Sequence, residues 1–278
     1  MTSLARRGAL PGFGLTMGLT LTWLTLLILI PLGGLFLKTS ELTRAQFVAT
    51  VSNPRTIHAL ELSFGLAFAA AAVNLVAGLV VVWALVRYRF PGRRLFDAIV
   101  DVPFALPTAV AGVALSSLFG PNGWLGAPLA ALGIKVAFTP LGIFIAMVFI
   151  GIPFVVRTVQ PVLVDLEAEL EEAAASLGAN RWQTITRIIL PSLAPAILTG
   201  FALAFARAVG EYGSVIFIAG NLPKVSEIAP LLIVIRLSEF RSADATAIAV
   251  VMLVVAFLTI FLINRIQRWA HVRSSPVD

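Results

Sequence analysis

Arg207 and Glu211 stand four positions apart in one of the most apolar parts of this chain, within Phe205-Ala206-Arg207-Ala208-Val209-Gly210-Glu211-Tyr212. On a helix that spacing puts both side chains on one face. A charged group is costly in hydrocarbon, so such a pair either serves a passing ion or neutralises itself and fixes helix packing. Both readings stay open on the residues alone. Arg207 can help pass or gate a dianion, or Glu211 can supply the partner that an arginine in a membrane needs. Two other polar residues lie in apolar runs. Asp101 is expected to pair with a loop arginine, and Asn74 to hydrogen-bond between helices.

Other chemistry has little to stand on. The chain has no cysteine, so a disulfide, a thiolate-held zinc and a thiol nucleophile are excluded. Its two histidines, His58 and His271, are far apart and lack metal-ligand spacing. No Gly-x-x-x-x-Gly-Lys-[Ser/Thr] loop is present, so the chain carries no phosphate-binding loop of its own. His-Glu-x-x-His and Gly-x-Ser-x-Gly are also missing, which argues against an intramembrane hydrolase.

Composition says what must position these residues. Of 278 residues 59% are hydrophobic and only 12% charged, with a mean hydropathy of +0.98, whereas soluble domains carry about 25% charged residues. The net charge of +6 does not point to nucleic acid, because the Lys and Arg residues fall at the ends of apolar runs. The expected partner is a lipid bilayer. A helix needs about 20 apolar residues to cross it, and strand-like alternation is missing. The fold class is therefore an all-α integral membrane protein.

Six spans are predicted, at about 15–37, 59–86, 98–119, 139–156, 194–218 and 247–266. Arg6-Arg7 before the first raises a secretory signal, but the apolar run is too long and lacks a small-x-small cleavage site, so a retained span is expected. Residues 38–57 read as a polar loop. Small residues in the second span, from Gly65 through Ala69-Ala70-Ala71-Ala72 to Gly78, suggest that it packs inside the bundle. Pro103 and Pro107 predict a kinked or broken third span, which suits a cavity lining. Residues 125–137 are too short to cross, and 228–235 predict an amphipathic helix at the surface or dipping partway in. Twelve Lys and Arg residues fall on the side of the N-terminus and the loop after the fourth span, including Arg6, Arg7, Arg157, Arg268 and Arg273; seven fall on the other side. That bias predicts cytoplasmic N and C termini.

The same loop, 162–191, is polar yet helical in pattern. Acids from Asp165 to Glu172 suit a helix N-terminus, Gly178 a turn, and Ile185, Ile188 and Ile189 the apolar face of a second short helix ended by Pro191. Such a hairpin reads as a docking knob. Glu172-Ala173-Ala174, Gly178, Ile188 and Leu190-Pro191 match, without a gap, the signature of permease subunits of bacterial ABC importers, which the chain resembles from about residue 55 to 269. Asp101-Val102-Pro103-Phe104-Ala105-Leu106-Pro107 and Arg207-Ala208-Val209-Gly210-Glu211 are similar to the third and fifth spans of oxyanion permeases. Phe217-Ile218-Ala219-Gly220-Asn221 and Glu227-Ile228-Ala229-Pro230 resemble the T-type permease subunit of sulfate/thiosulfate importers.

That resemblance implies a type I importer permease fold, with residues 1–54 as an N-terminal addition, 55–269 as the permease core and 270–278 as a cytoplasmic tail. It implies that Glu172 to Gly178 form a coupling helix seated in a separate ATPase, which would bind ATP and Mg. It also implies a second permease subunit, two ATPase copies and a periplasmic sulfate/thiosulfate-binding protein, in the inner membrane of a bacterial cell. The expected role is translocation of sulfate and thiosulfate without a catalytic site in this chain. Related permeases for molybdate or tungstate are the neighbouring reading, and an autonomous secondary transporter or channel leaves the hairpin motif unexplained.

Overall fold

The structure is a computed structural model that describes residues 13–274, with side chains as far as residue 265. Arg6 and Arg7, and the side chains of Arg268, His271 and Arg273, lie outside the described residues. Those described form helices α1 (Phe13–Thr39), α2 (Arg44–Val51), α3 (Pro54–Arg87), α4 (Arg93–Val100), α5 (Val102–Ala105), α6 (Thr108–Phe119), α7 (Gly126–Ala131), α8 (Pro140–Val164), α9 (Ala168–Ser176), α10 (Arg181–Val209), α11 (Val215–Ile218), α12 (Ala229–Ser238) and α13 (Ser242–Ser274). No strand occurs among the described residues. Five helices, α1, α3, α8, α10 and α13, are long and apolar enough to cross a membrane.

The third predicted span is present only in pieces. Pro103 and Pro107 have no N–H to donate, and the segment resolves into α4, α5 and α6. It still runs from end to end of the bundle. At one end Arg87 pairs with Glu171. At the other, Arg55 pairs with Glu227, Thr50 donates to Asp244, Phe138 donates to the Ile218 carbonyl and Ser116 to that of Phe217. The described residues thus pass between the two ends six times, five of them in helices of crossing length, and α1 begins and α13 finishes at the end that holds α9.

Several boundaries differ from those expected. Residues 38–57 are not a plain loop: Thr43 and Gln46 form a capping box that starts α2, and Asn53 caps α3. The fourth span does not stop near 156 but continues through Arg157 to Val164. Pro191 does not end a short helix. A π turn at Ile185–Ile189, in which the Leu190 N–H bonds the Ile185 carbonyl, widens the helix just before the proline, and α10 runs on unbroken. The same device, Thr25–Leu29, precedes Pro31 in α1. The extra residue in the turn relieves the clash between a proline ring and the carbonyl four residues back. The fifth span, in turn, stops at Val209 rather than 218. The short helix expected at the surface or dipping partway in is α12, which buries Ala229, Leu231 and Leu232 against α3 and α13 and leaves Val234 and Leu237 exposed.

The core is the three-way seam of α3, α8 and α10. In lipid no hydrophobic drive pulls helices together, so close approach over small residues does the holding. Ala67, Ala70, Ala71 and Gly78 of α3 meet Ala146, Gly151 and Val155 of α8 and Gly200 and Ala204 of α10, all buried. As expected, α3 lies inside the bundle, whereas α1 has no buried residue and packs chiefly on α13. A Cβ on Gly78 would stand 2.7 Å from Val155 Cγ1, while one on Gly65 would meet open space. Gly78→Ile should therefore destabilise the purified chain by about 1–3 kcal/mol through overpacking. Gly65→Ala should leave thermal unfolding in detergent unchanged or slightly raised.

Candidate functional site

The polar hairpin is rigid by construction. Glu169 and Glu171 occupy the first turn of α9, where carboxylates complement the exposed N–H groups. The helix is closed by the Gly178 N–H on the Ala175 carbonyl and the Ala179 N–H on the Ala174 carbonyl, both at 3.0 Å. Gly178 has φ +82°, in the left-handed region that suits glycine. Two residues later Asn180 and Gln183 cap α10 reciprocally, each backbone N–H donating to the other's side-chain oxygen at 2.9 Å. Asn180-Arg181-Trp182-Gln183 has the residue types and spacing of a capping box. Arg87 ties the hairpin to α3 through Glu171, with its guanidinium carbon 5.5 Å from the Trp83 ring centroid. A cleft of about 370 Å³ remains between them, lined by Trp83, Arg87, Glu171, Arg181 and Ile185.

The seven motif residues do not form one patch. Glu172 and Ala173 are exposed on α9, Ala174 is its one buried residue, and Gly178 makes the turn. Ile188, Leu190 and Pro191 stand on α10, where neighbouring Ile189 and Leu193 enter the core. Among its exposed charged residues the hairpin also presents two large apolar side chains at its turn. Leu177 is 89% exposed and Trp182 73%, on either side of the Gly178 turn.

At the opposite end, the helix break at Gly210 makes Glu211 a loop residue, one turn beyond Arg207 but off the helix. Its carboxylate is 2% exposed and fully engaged: Oε2 pairs with Arg207, and Oε1 accepts from the Ser214 N–H at 2.8 Å and hydroxyl at 2.9 Å. The Arg207 side chain is 32% exposed. Gly112 and Gly213 let this loop lie directly on α6, since a Cβ at Gly112 would strike the Ser214 backbone and one at Gly213 the Thr108 hydroxyl. The loop therefore lies against Thr108, the residue after Pro107. Pro103 lies elsewhere, in α5, where Phe104 packs edge-on against Phe154 of α8 with centroids 5.1 Å apart.

Two polar residues depart from expectation. Asn74 makes no interhelical hydrogen bond: it is fully buried against Gly151, and neither side-chain atom has a partner. Asp101 does pair with an arginine, but Arg157 lies inside α8 rather than in the loop expected after residue 156, and it gathers a cluster that sequence reasoning missed. The Arg157 guanidinium donates to Asp101 Oδ1 and Oδ2, Asp97 Oδ1, the Asp97 carbonyl and Gln160 Oε1, each at 2.7 Å. The signal was the spacing of Asp97 and Asp101, which sets two carboxylates on one helical face. Among the described residues no group of His, Cys, Asp and Glu could hold a metal.

With that geometry in hand, comparisons identify relatives. Residues 77–273 match the family model described as binding-protein-dependent transport system inner membrane component. The sulfate transport system permease protein CysT of Escherichia coli (strain K12) is 49% identical over 267 residues, 96% of each chain. The protein of the same name from Synechococcus elongatus is 47% identical over 251 residues, 90% of each chain. Among solved structures, a bacterial alginate ABC transporter in complex with an alginate pentasaccharide-bound periplasmic protein aligns with TM-score 0.78 at 19% identity, covering 96% of this chain and 97% of that one. The MetNI methionine ABC transporter aligns with TM-score 0.59 at 17% identity, covering 77% and 95%. At those identities the structural likeness speaks to fold.

The Glu211 geometry makes a graded prediction. Glu211→Ala leaves the Ser214 donors without an acceptor and should lower stability by about 1–3 kcal/mol. Glu211→Gln keeps a carbonyl oxygen for them and should cost clearly less, as read by thermal unfolding in detergent.

Proposed function

The chain belongs to the family of binding-protein-dependent transport system inner membrane components, and from that premise we propose that it is the permease subunit of an ATP-driven importer carrying sulfate, and with it thiosulfate, into a bacterial cell. Sulfate rests on the near-half identity, over almost the whole chain, to permeases named for sulfate transport. The ATP-driven reading is carried by the hairpin. A turn locked at both sides by helix caps holds Leu177 and Trp182 out of the protein, at the end of the chain richest in Arg and Lys. Large apolar side chains held rigidly in a polar segment suit a partner's pocket.

In this reading the end bearing α9 is cytoplasmic, which agrees with the positive-inside bias. Six passes then leave both termini there, with the α4–α6 segment as the sixth crossing. A second homologous permease, two ATPase copies that bind ATP and Mg, and a periplasmic binding protein complete the importer. This chain hydrolyses nothing itself. Closure of the ATPase pair on ATP draws the hairpins together, the attached helices tilt from inward-facing to outward-facing, and the oxyanion passes from the binding protein into the path between the permeases. At the outer end Arg207, compensated by Glu211, keeps the α10–α11 break on α6 and so holds the mouth in shape.

The hairpin reading is tested by co-purification. Leu177→Asp and Gly178→Asp should each reduce recovery of the ATPase with the permease by at least about tenfold, since an interface anchor is worth about 2 kcal/mol or more. Membrane insertion should be unchanged. Full ATPase recovery with both variants would sink the docking role.

A further inference from the structure

The two halves of the broken third segment are tied to different parts of the bundle. Its latter half, α6, is held at the outer end: Gly112 and Thr108 contact the Gly213–Ser214 backbone, and the Ser116 hydroxyl donates to the Phe217 carbonyl at 2.7 Å. Its former half, α4 and α5, is held to α8. There Leu95, Phe96, Ile99 and Phe104 are exposed, Val100 alone is buried, and the polar attachment is Arg157. Between the halves lies Leu106-Pro107, where the helix is interrupted and both residues are extended.

Arg157 is well placed to make the first tie a firm one. A guanidinium has five N–H donors in a fixed fork. All five are used, three on carboxylate oxygens, one on a backbone carbonyl and one on the Gln160 amide oxygen. An isolated ion pair with partners as exposed as Asp97 and Asp101 would hold little. A saturated fork, bidentate on Asp101, fixes orientation as well as distance. It bonds Asp97 of α4 and the Asp101 corner itself, and Phe104 of α5 packs on Phe154 of the same helix α8, so α4 and α5 are both held to α8. Arg157 lies about two turns before α8 ends, and three residues then lead into α9.

We propose that Arg157 is a positioning residue for transport: its clamp on Asp97 and Asp101 makes α4 and α5 follow α8, so that displacement of the hairpin bends the broken segment at Leu106-Pro107 while α6 stays with the α10–α11 loop. The inference rests on the hairpin being the surface that receives the ATPase. It adds the path by which hairpin movement reaches the segment most suited to line a route through the membrane. Coupling here means a shared rigid body, α8 with α4 and α5, on one side of a joint.

The test uses the assembled importer in vesicles. Arg157→Lys keeps the charge but replaces the five-donor fork with a three-donor ammonium on a flexible stem. ATPase recovery and ATP hydrolysis should persist, while ATP-dependent uptake of labelled sulfate falls about tenfold, the middle of the range for coupling between linked sites. Because the chain has no cysteine, Asp97→Cys with Gln160→Cys can be bridged selectively in it by a short thiol-reactive crosslinker. Bridging these positions in the Arg157→Lys background should restore most of the uptake, which a single local bridge would not do if Arg157→Lys caused a general folding defect. Unchanged uptake in Arg157→Lys, or uptake that stays low after bridging, would overturn the proposal. Loss of the ATPase from Arg157→Lys would overturn it too, by making the residue a support for the hairpin. Absence of the ATPase from the unsubstituted complex would overturn the hairpin reading itself, and this proposal with it.

Discussion

In hydrocarbon a backbone N–H or carbonyl without a partner has no water to turn to, and the arrangement of this chain follows from that constraint. Helices that face outward, such as α1 and much of α13, are continuous and apolar. The interruptions of the third and fifth segments touch protein on one side, while Pro107 itself stays exposed. The α4–α5–α6 breaks rest on α8 and on the Gly210–Ser214 loop, and that loop rests on α6 in turn. Glu211 Oε1 accepts two hydrogen bonds from Ser214 at the loop where the helix stops donating to itself. The seam of α3, α8 and α10, built on Ala and Gly, is what allows irregular pieces to be covered so closely.

Much of this was legible because membrane spans are written in run length. The five helices of crossing length appear where apolar runs reach about 20 residues, and the breaks at Pro103 and Pro107 follow from missing N–H groups. Most of what the sequence concealed comes from distant contacts that overrule local signals, and one case from a local π turn. Arg157-Thr158-Val159-Gln160 looks like the start of a polar loop, yet the helix continues because Asp97 and Asp101 on another segment absorb the charge. Val215 to Ile218 looks like the end of a span, yet the chain has already turned at Gly210 because Gly112 leaves room for it. Pro191 looks like a stop, yet a π turn one residue earlier makes space for its ring. Asn74 is the exception without an explanation on hand: a buried amide, expected to bond across helices, that finds no partner against Gly151.

The hairpin was the most readable part of the candidate site and the least dependent on tertiary context. Its acids, its Gly178 turn and its Asn180–Gln183 cap are all local, so spacing alone was nearly sufficient to describe it. The exposure of Leu177 and Trp182 adds what spacing could not, a direction in which the knob points. Arg207 and Glu211 show the converse. Their spacing suggested a pair on one helix face, and the pair exists, but its meaning depends on a loop geometry that only the folded chain reveals. The Glu211 carboxylate is engaged both by Arg207 and by the Ser214 donors.

The central claim is that this chain moves an oxyanion only when an ATPase works its hairpin. The most direct measurement is uptake of labelled sulfate into vesicles holding the permease pair with its ATPase, with and without ATP and the binding protein, competed by thiosulfate, molybdate and phosphate. Uptake that needs both ATP and the binding protein, and that thiosulfate suppresses while molybdate and phosphate do not, is the predicted result. Sulfate entry that proceeds without ATP, or ATP-dependent entry of molybdate in place of sulfate, would contradict it.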